Sequence, residues 1–375
     1  MEFIFNKNTF QSGVSIVERI VSTKSTLPII GNILIEAEKS GVKLSANNLE
    51  MGIEIKIPAK IVKEGSILIP AKTLSGIVSK LPDSDVNFKL KEKGVIAISY
   101  KKSNFNIHGL PADEFPQLPR IKENKTIKID KKIFQRMIEQ TIFSSSSSEE
   151  KFVLNGILFE TGKTDGSNVR MVATDGYRLA KIGETIDGVD INVSAIIPSK
   201  ALSELLKIIN AEKEGNVTIN ISSDQAAFNF NNVYLVTRLI QGQFPDYKQV
   251  IPKMLEIKIF ANTKMLLQSS ERAAVIASQS ANIVKIEVRG GQLYISAQAP
   301  DVGSVEEVLD VEVKGKEKAA AAFNIRLLTD ALKVIEEEFI VLELGAPLSP
   351  GMIKPKDGPD FTYIVMPIRT QEVSA

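Results

Sequence analysis

Cysteine is absent from the 375 residues, tryptophan is absent, and a single histidine, His108, is present. The first absence excludes disulfides, thiolate metal sites and cysteine nucleophiles, and leaves methionine as the side chain open to oxidation. With one histidine, an imidazole zinc site or a serine–histidine relay would have to be built around that residue alone. His108 ends an alternating stretch, NFNIHGL, and reads as a surface or half-buried strand residue. A hydrolase running on paired carboxylates needs neither Cys nor His. The lack of Trp and the six Tyr give such an enzyme few aromatic platforms for sugars to stack on. There is no GxxxxGK[ST] and no GxGxxG, so no phosphate loop or dinucleotide fingerprint is carried. No apolar run is long enough to span a bilayer. The amino terminus, MEFIFNKNTFQSG, lacks the basic flank, apolar stretch and cleavage site of an export signal. A cytoplasmic protein with no cofactor, no metal and no membrane partner is the expectation.

What is present is balanced. Lys and Arg number 46 against 45 Asp and Glu, and 43 % of residues are hydrophobic, the composition of a soluble globular chain. A net charge of +1 excludes a wholly basic surface, so any polyanion-binding surface must be local. At this length one hydrophobic core is insufficient, and two or three domains are expected.

Internal repeats settle the number. SILIPAKTLSGIVSKL (66–81) is answered by SAIIPSKALSELLKII (194–209) and more faintly by AAAFNIRLLTDALKVI (320–335), with Lys72, Lys200 and Arg326 in equivalent places 128 and 126 residues apart. In each copy the apolar positions fall at i, i+3, i+4 and i+7: Leu74, Ile77, Val78, Leu81; Leu202, Leu205, Leu206, Ile209; Leu328, Ala331, Leu332, Ile335. That spacing predicts a helix with one buried stripe. A strand followed by a second helix opens each unit, at 3–21, 127–142 and 257–277, the last with the weakest stripe. The rest alternates like strands, as in MGIEIKIPAKI, VTINISSDQAAFNF and FIVLELG,. The expected fold is α+β, three repeated units of two helices on antiparallel sheet. Proline-bearing connectors at 115–125 and 244–254, in register at Phe115 and Phe244, place the domains at 1–121, 122–250 and 251–375.

Charge is unevenly placed along this pattern. Taken as 8–22, 72–80, 131–141, 199–207, 264–272 and 326–333, the helices sum to +7 and the remainder of the chain to −6. Polar helix faces sharing one surface would make it basic, suited to phosphates without base readout. On these grounds Lys72, Lys80, Lys131, Lys132, Arg136, Lys200 and Lys207 are expected to line that phosphate-binding surface.

TLPIIGNILIEA (26–37), FVLNGILFET (152–161), VATDGYRLA (172–180), GQFPDY (242–247) and YIVMPIR (363–369) resemble, in order and across the whole chain, the signature stretches of bacterial DNA polymerase III beta subunits. The resemblance implies DNA-clamp domains forming half of a closed ring: a head-to-tail homodimer, helices lining the hole and sheets outside. It implies a non-enzymatic processivity factor that encircles double-stranded DNA without sequence specificity. It implies partners as well: the polymerase III catalytic subunit, an ATP-dependent clamp loader, and other polymerases and repair factors with clamp-binding motifs. The location implied is the bacterial cytoplasm, on the nucleoid. Partner peptides would dock in an apolar pocket between the second and third units at Leu154, Thr174, Gly176, Tyr177, Arg178, Leu179, Pro245, Gln249, Val250, Ile364, Val365, Met366, Pro367 and Arg369. Tyr177 stands where many members carry histidine, and Gln249 where many carry arginine. Lys24 matches a basic loop residue that reaches the duplex, and Phe105 and Ile107 would face Val275 and Ile276 across the dimer interface. A clamp-like scaffold that binds partners without enclosing DNA is the competing reading. Truncation after Tyr363 is expected to remove docking and leave the fold largely intact.

Overall fold

The structure, a computed structural model, describes residues 1–22, 27–121, 126–164, 166–252 and 255–370. Each repeat opens with a strand, Glu2–Asn6, Thr126–Asp130 or Ile257–Asn262, that runs into a helix: α1 (Lys7–Glu18), α3 (Lys131–Ile142) or α5 (Thr263–Ala277). α2 (Ala71–Lys80) follows α1, α4 (Ser199–Asn210) follows α3, and α6 (Ile325–Leu332) follows α5. The strand-to-helix switch has a local cause. Asn6, Asp130 and Asn262 end their strands, and their side-chain oxygens accept from the first free amides of the helix, at 3.0 Å from Asn8 N, 2.8 Å from Lys132 N and 3.1 Å from Met265 N. Each such cap stabilises its helix by about 1 kcal/mol.

The predicted stripes are buried at Leu74, Val78 and Leu81, at Leu202, Leu205 and Ile209, and at Leu328, Ala331, Leu332 and Ile335. In α4 the buried face is centred one step round, so Ile208 is buried and Leu206 only half so. The weak stripe of α5 is a real feature: Ser269, Ser270, Ala273 and Ala277 are its buried residues beside Thr263 and Leu266, small side chains that let the helix lie close on the strand Gln292–Ala299. The stretch MGIEIKIPAKI is two strands. Pro58 cannot continue the ladder, and Met51–Ile57 and Lys60–Lys63 enter different sheets.

By contact the chain divides into two compact units, Met1–Phe134 with Lys200–Leu239, and Gln135–Ser199 with the chain from Ile240. The second repeat therefore gives strands to both. In the first unit its strands Thr126–Asp130, Asn216–Ile221, Gln225–Phe230 and Val233–Arg238 continue directly into Met51–Ile57, Gly41–Asn47, Asn32–Glu38 and Gly65–Pro70 as one eight-stranded sheet. The join is antiparallel, Leu235 opposite Ile53 and Val236 opposite Gly52. In the second unit Val193–Pro198, Gly156–Thr164, Ser167–Thr174 and Arg178–Glu184 continue through Asp360–Val365 into a nine-stranded sheet. That join sets Leu179 opposite Ile364. A five-stranded sheet ending at Ser103–His108 completes the first unit, and a four-stranded sheet ending at Gly303–Asp310 completes the second. Among the described residues no helix is long and apolar enough to cross a membrane.

Two glycines test this backbone in opposite senses. At Gly41, φ is +136° and an added Cβ would lie 2.6 Å from the Ile57 carbonyl oxygen, whereas Gly76 in α2 has open space there. Gly41→Ala should destabilise the first unit by about 1–3 kcal/mol, and Gly76→Ala should stabilise it by about 0.5–1 kcal/mol. Urea denaturation midpoints read both, and a neutral or reversed pair would contradict the conformations described.

Candidate docking site and the basic helix faces

Alternation along the nine-stranded sheet puts Leu158, Val172, Leu179, Ile364 and Met352 on one face. The ladder sets Leu158 beside Val172 and Ile364 beside both Leu179 and Met352. With Ile196, Phe244 and Tyr247 they form a buried apolar cluster, against which Val153, Leu154, Ile240, Ile251 and Leu255 pack half-buried. Phe152, Tyr177, Val250 and Met366 flank it with large apolar side chains 57, 65, 41 and 39 % exposed. An apolar floor with an exposed aromatic and methionine rim is a surface that takes extended peptide side chains.

The wall beside it is a turn held by its own side chains. Asp175 Oδ1 accepts from Tyr177 N at 2.8 Å and Arg178 N at 3.1 Å, Gly176 supplies the φ of +93°, and Gly176 N donates to Thr174 Oγ1 at 3.1 Å. Arg178 then spans elements: Nε donates to Asp175 Oδ2 at 3.0 Å, Nη1 to Asp330 Oδ2 of α6 at 2.6 Å, and its guanidinium lies over the Phe143 ring. With both carboxylates engaged it fixes the turn, and little of its charge is offered to a ligand. Lys151 Nζ donates to the Asp175 carbonyl at 3.3 Å and sits over the Tyr177 ring. Below the floor, the Tyr363 hydroxyl donates to the Leu327 carbonyl at 2.7 Å, and burial raises its pKa above the ordinary tyrosine range.

The opposite wall is the connector after Ile240. Asp246 caps its short turn at Lys248 N and also accepts from Gln249 Nε2 at 2.9 Å. Tyr247 anchors it to the sheet by donating its hydroxyl to Glu160 Oε2 at 3.0 Å, with Arg170 Nε 3.7 Å from the same carboxylate oxygen. Burial first, and then the charge of Glu160, push this hydroxyl up to about 12.

The expected docking residues are therefore gathered in one place, with distinct parts. Leu154, Leu179 and Ile364 belong to the floor; Thr174, Gly176 and Arg178 build the turn; Tyr177, Val250 and Met366 are rim; Pro245, Gln249 and Arg369 are exposed, and Pro367 is half-buried. Val365 is a correction. It alternates with Ile364, is fully buried and pairs with Arg178 and Gly351, so its side chain faces away from the floor. Sequence reasoning missed Val172, Ile196, Phe244, Tyr247, Met352 and Phe152. Strand alternation flags the first two, but Met352 reaches the floor only through a pairing that the sequence does not announce.

The basic helix faces are more mixed. Lys72, Lys132 and Lys200 are exposed, as are Arg326 and Lys80, while exposed Lys207 is paired with Glu204 at 2.8 Å. Lys131 is a second correction. It is 7 % exposed, because the pairing of Asp130 with Asn216 carries it under the neighbouring loop, where Nζ donates to the Glu212 carbonyl at 2.5 Å. Arg136 is half-buried and spends its charge on Glu184 at 2.5 Å. Lys24 lies outside the described residues. Phe105 (39 % exposed) and half-buried Ile107 sit on the terminal strand of the five-stranded sheet; Val275 (65 % exposed) and half-buried Ile276 sit on α5. His108 is an exposed residue of that same terminal strand.

Three repeats of two helices on shared antiparallel sheets, with an apolar face rimmed by exposed side chains, define a clamp-type α+β protein. Profiles described as the N-terminal, central and C-terminal domains of the DNA polymerase III beta subunit match residues 1–119, 128–246 and 248–369. The beta sliding clamp of Synechocystis is 33 % identical, over 98 % of this chain and 99 % of that protein. The clamp of Halalkalibacterium halodurans is 31 % identical over 99 % and 100 %. The crystal structure of the Bacillus subtilis DNA polymerase sliding clamp superposes with a TM-score of 0.93 at 31 % identity, covering 99 % of each chain. A Pseudomonas aeruginosa sliding clamp solved bound to griselimycin gives 0.92 at 26 %, over 99 % of this chain and 100 % of that one. The chain belongs to the DNA polymerase III beta subunit family. It is a non-catalytic sliding clamp of DNA replication, built of three clamp domains.

Truncation after Tyr363 would remove Ile364 and Val365, both fully buried, at about 2–5 kcal/mol each. The fold of the second unit is thus expected to fail together with docking, contrary to the sequence expectation. Truncation after Val365 should leave the thermal transition of that unit within a few degrees. Circular dichroism melts of the two truncations decide between these outcomes.

A raised tyrosine pKa means that the fold favours the protonated hydroxyl. The stability from Tyr247 is therefore complete below pH 10 and lost as pH climbs through about 12,. Tyr247→Phe should flatten the loss of stability across that window relative to the unmodified chain, read as urea midpoints from pH 9 to 12. Parallel curves would dissociate Tyr247 from the alkaline transition.

Proposed function

We propose that two copies of this chain close head to tail into a ring around duplex DNA, in the cytoplasm and on the nucleoid. The ring slides without reading sequence and tethers the polymerase III catalytic subunit and other replication and repair proteins by peptides docked on the Leu179–Ile364 face. The observation that carries the encircling part is a recurrence. Lys72, Lys200 and Arg326 are each the second residue of α2, α4 and α6, and each is exposed. A cation repeated at one place in every repeat suits a polyanion of regular form, and weak phosphate contacts permit sliding where base contacts would arrest it. The docking part is supported by the apolar floor and exposed rim within a single unit. A ring interface is supported by the terminal strands Ser103–His108 and Gly303–Asp310, which end their sheets and carry exposed Phe105 and Val308, the kind of edge that pairs with another chain. The three domains are assigned to 1–121, 122–250 and 251–375, a reading supported by the segments matched to the family. Loading falls to a separate ATP-driven partner, since the sequence holds no phosphate loop.

Retention after loading tests the ring directly. The clamp should stay on a nicked circle and run off the same DNA once linearised, and its sedimentation mass should be near twice 41.1 kDa. Equal retention on circle and line would replace encirclement with ordinary surface binding.

A further inference from the structure

The first unit reproduces the backbone bonds of the Thr174–Arg178 turn at a second place. Asn48 Oδ1 accepts from Glu50 N at 3.1 Å and Met51 N at 2.8 Å, as Asp175 Oδ1 does from Tyr177 N and Arg178 N. The residue after it has positive φ in both turns, Leu49 at +73° and Gly176 at +93°. The Glu50 carbonyl accepts from Arg238 N at 2.9 Å, and the Tyr177 carbonyl accepts from Met366 N at 2.9 Å. Gly52 lies opposite Val236 as Leu179 lies opposite Ile364. The connector that carries Phe115 runs past the first turn, as the one that carries Phe244 runs past the second, and Asn47 Nδ2 ties it down at the Pro116 carbonyl, 3.1 Å away.

Between turn and connector lies a cavity of about 200 Å³, lined among others by Leu49, Glu50, Met51, Leu118 and Arg238. Its chemistry differs from the second unit in three respects. Gly52 replaces Leu179, and Leu118 leans from the connector into the space that a side chain there would fill, so the floor stays apolar but shallower. Leu49 replaces Gly176. A leucine in left-handed backbone is strained by the crowding of its Cβ, yet this one is 44 % exposed and gains little burial in return; strain kept at such a place points to use. The rim exchanges Met366 and Tyr177 for Arg238 and Glu50, both exposed. Neither side chain forms an ion pair or hydrogen bond among the described residues.

We propose that this cavity is a second docking site, taking a short extended peptide in which a leucine is flanked by a carboxylate for Arg238 and a cation for Glu50. It rests on the peptide-docking reading of the second unit for its ligand class, while its geometry stands alone. An apolar side chain enters between Leu49 and Leu118, and the unpaired charges of opposite sign on the rim fix the peptide's direction and exclude wholly apolar sequences.

Methionine methyl groups report each site separately in the intact clamp, Met51 for the first unit and Met366 for the second. Acetyl-Lys-Leu-Leu-Asp-amide, titrated into protein carrying labelled methionine methyls, should shift Met51 saturably. Arg238→Ala should weaken that response about tenfold or more while leaving the Met366 response in place. A Met51 signal unmoved at millimolar peptide overturns the second site whatever Met366 does. A Met51 response unchanged by Arg238→Ala overturns the charged ligand assigned to it. Movement of Met51 with Met366 silent would instead sustain this site and count against docking in the second unit.

Discussion

The structure depends on two lateral joins in which strands from different repeats share a ladder: Val233–Arg238 beside Met51–Ile57, and Arg178–Glu184 beside Asp360–Val365. A repeat of this size ending in an open strand would present a row of unpaired amides and carbonyls, a template for unwanted pairing. Each join satisfies those groups and merges two small sheets into a larger one. It also explains why compactness divides the chain into two units when the sequence repeats three times. The second repeat is split because its two groups of strands are each committed to a different neighbour. Ser103–His108 and Gly303–Asp310 are among the strands that still end their sheets, and they are the two on which the proposed ring interface rests.

The same joins make the apolar face proposed for docking. A continuous sheet keeps its pleat in phase across the border between repeats, so Leu179 and Ile364 emerge side by side although they lie far apart in the chain. The connector must then cross the sheet close to the join. Tyr247, bonded to Glu160, holds it there, and Phe244 seals it from below. A groove between a turn and a connector is thus a consequence of joining repeats laterally, and it arises at both joins. What separates them is side chains: Leu179, Gly176 and Met366 in one, Gly52, Leu49 and Arg238 in the other.

Local features were legible in the sequence, and pairings were not. The helix stripes and the 126- to 128-residue repeat follow from periodicity; the Asn and Asp caps act on their own neighbours but were not read from the sequence. Of the residues that the resemblance names for docking, Leu154, Leu179 and Ile364 belong to one apolar cluster, and Tyr177, Val250 and Met366 are exposed large side chains. Val365 was misplaced because neighbouring strand residues face opposite sides, and naming a run of four took in the wrong face. Lys131 was misplaced for another reason. Its helix position is polar by periodicity, but the loop at Glu212 that covers it arrives from eighty residues away through a strand pairing. Met352 entered the floor the same way. In each case the missing information was which strand lies beside which.

The recurrence of Lys72, Lys200 and Arg326 gains weight from the electrostatics of their positions. A helix N-terminus carries partial positive charge from its free amides, so a cation in the first turn is the unfavourable choice, by about 0.3–1 kcal/mol. Acidic residues in the first turn are what stability alone would select there, and α2, α4 and α6 have none, although Asn324 caps α6 at Arg326 N. Three helices that each place Lys or Arg second therefore accept the same small destabilisation three times. Inheritance from a common repeat explains how the residue arrived, but not why drift between the copies, extensive elsewhere, changed Lys to Arg without losing the charge. A phosphate, as in the proposed contact with DNA, would resolve it. At a helix N-terminus an anion meets the free amides and the dipole together, and a lysine or arginine beside them adds its charge to a field already of the right sign. The arrangement that is mildly wrong for the isolated chain becomes cooperative once a phosphate backbone lies against it.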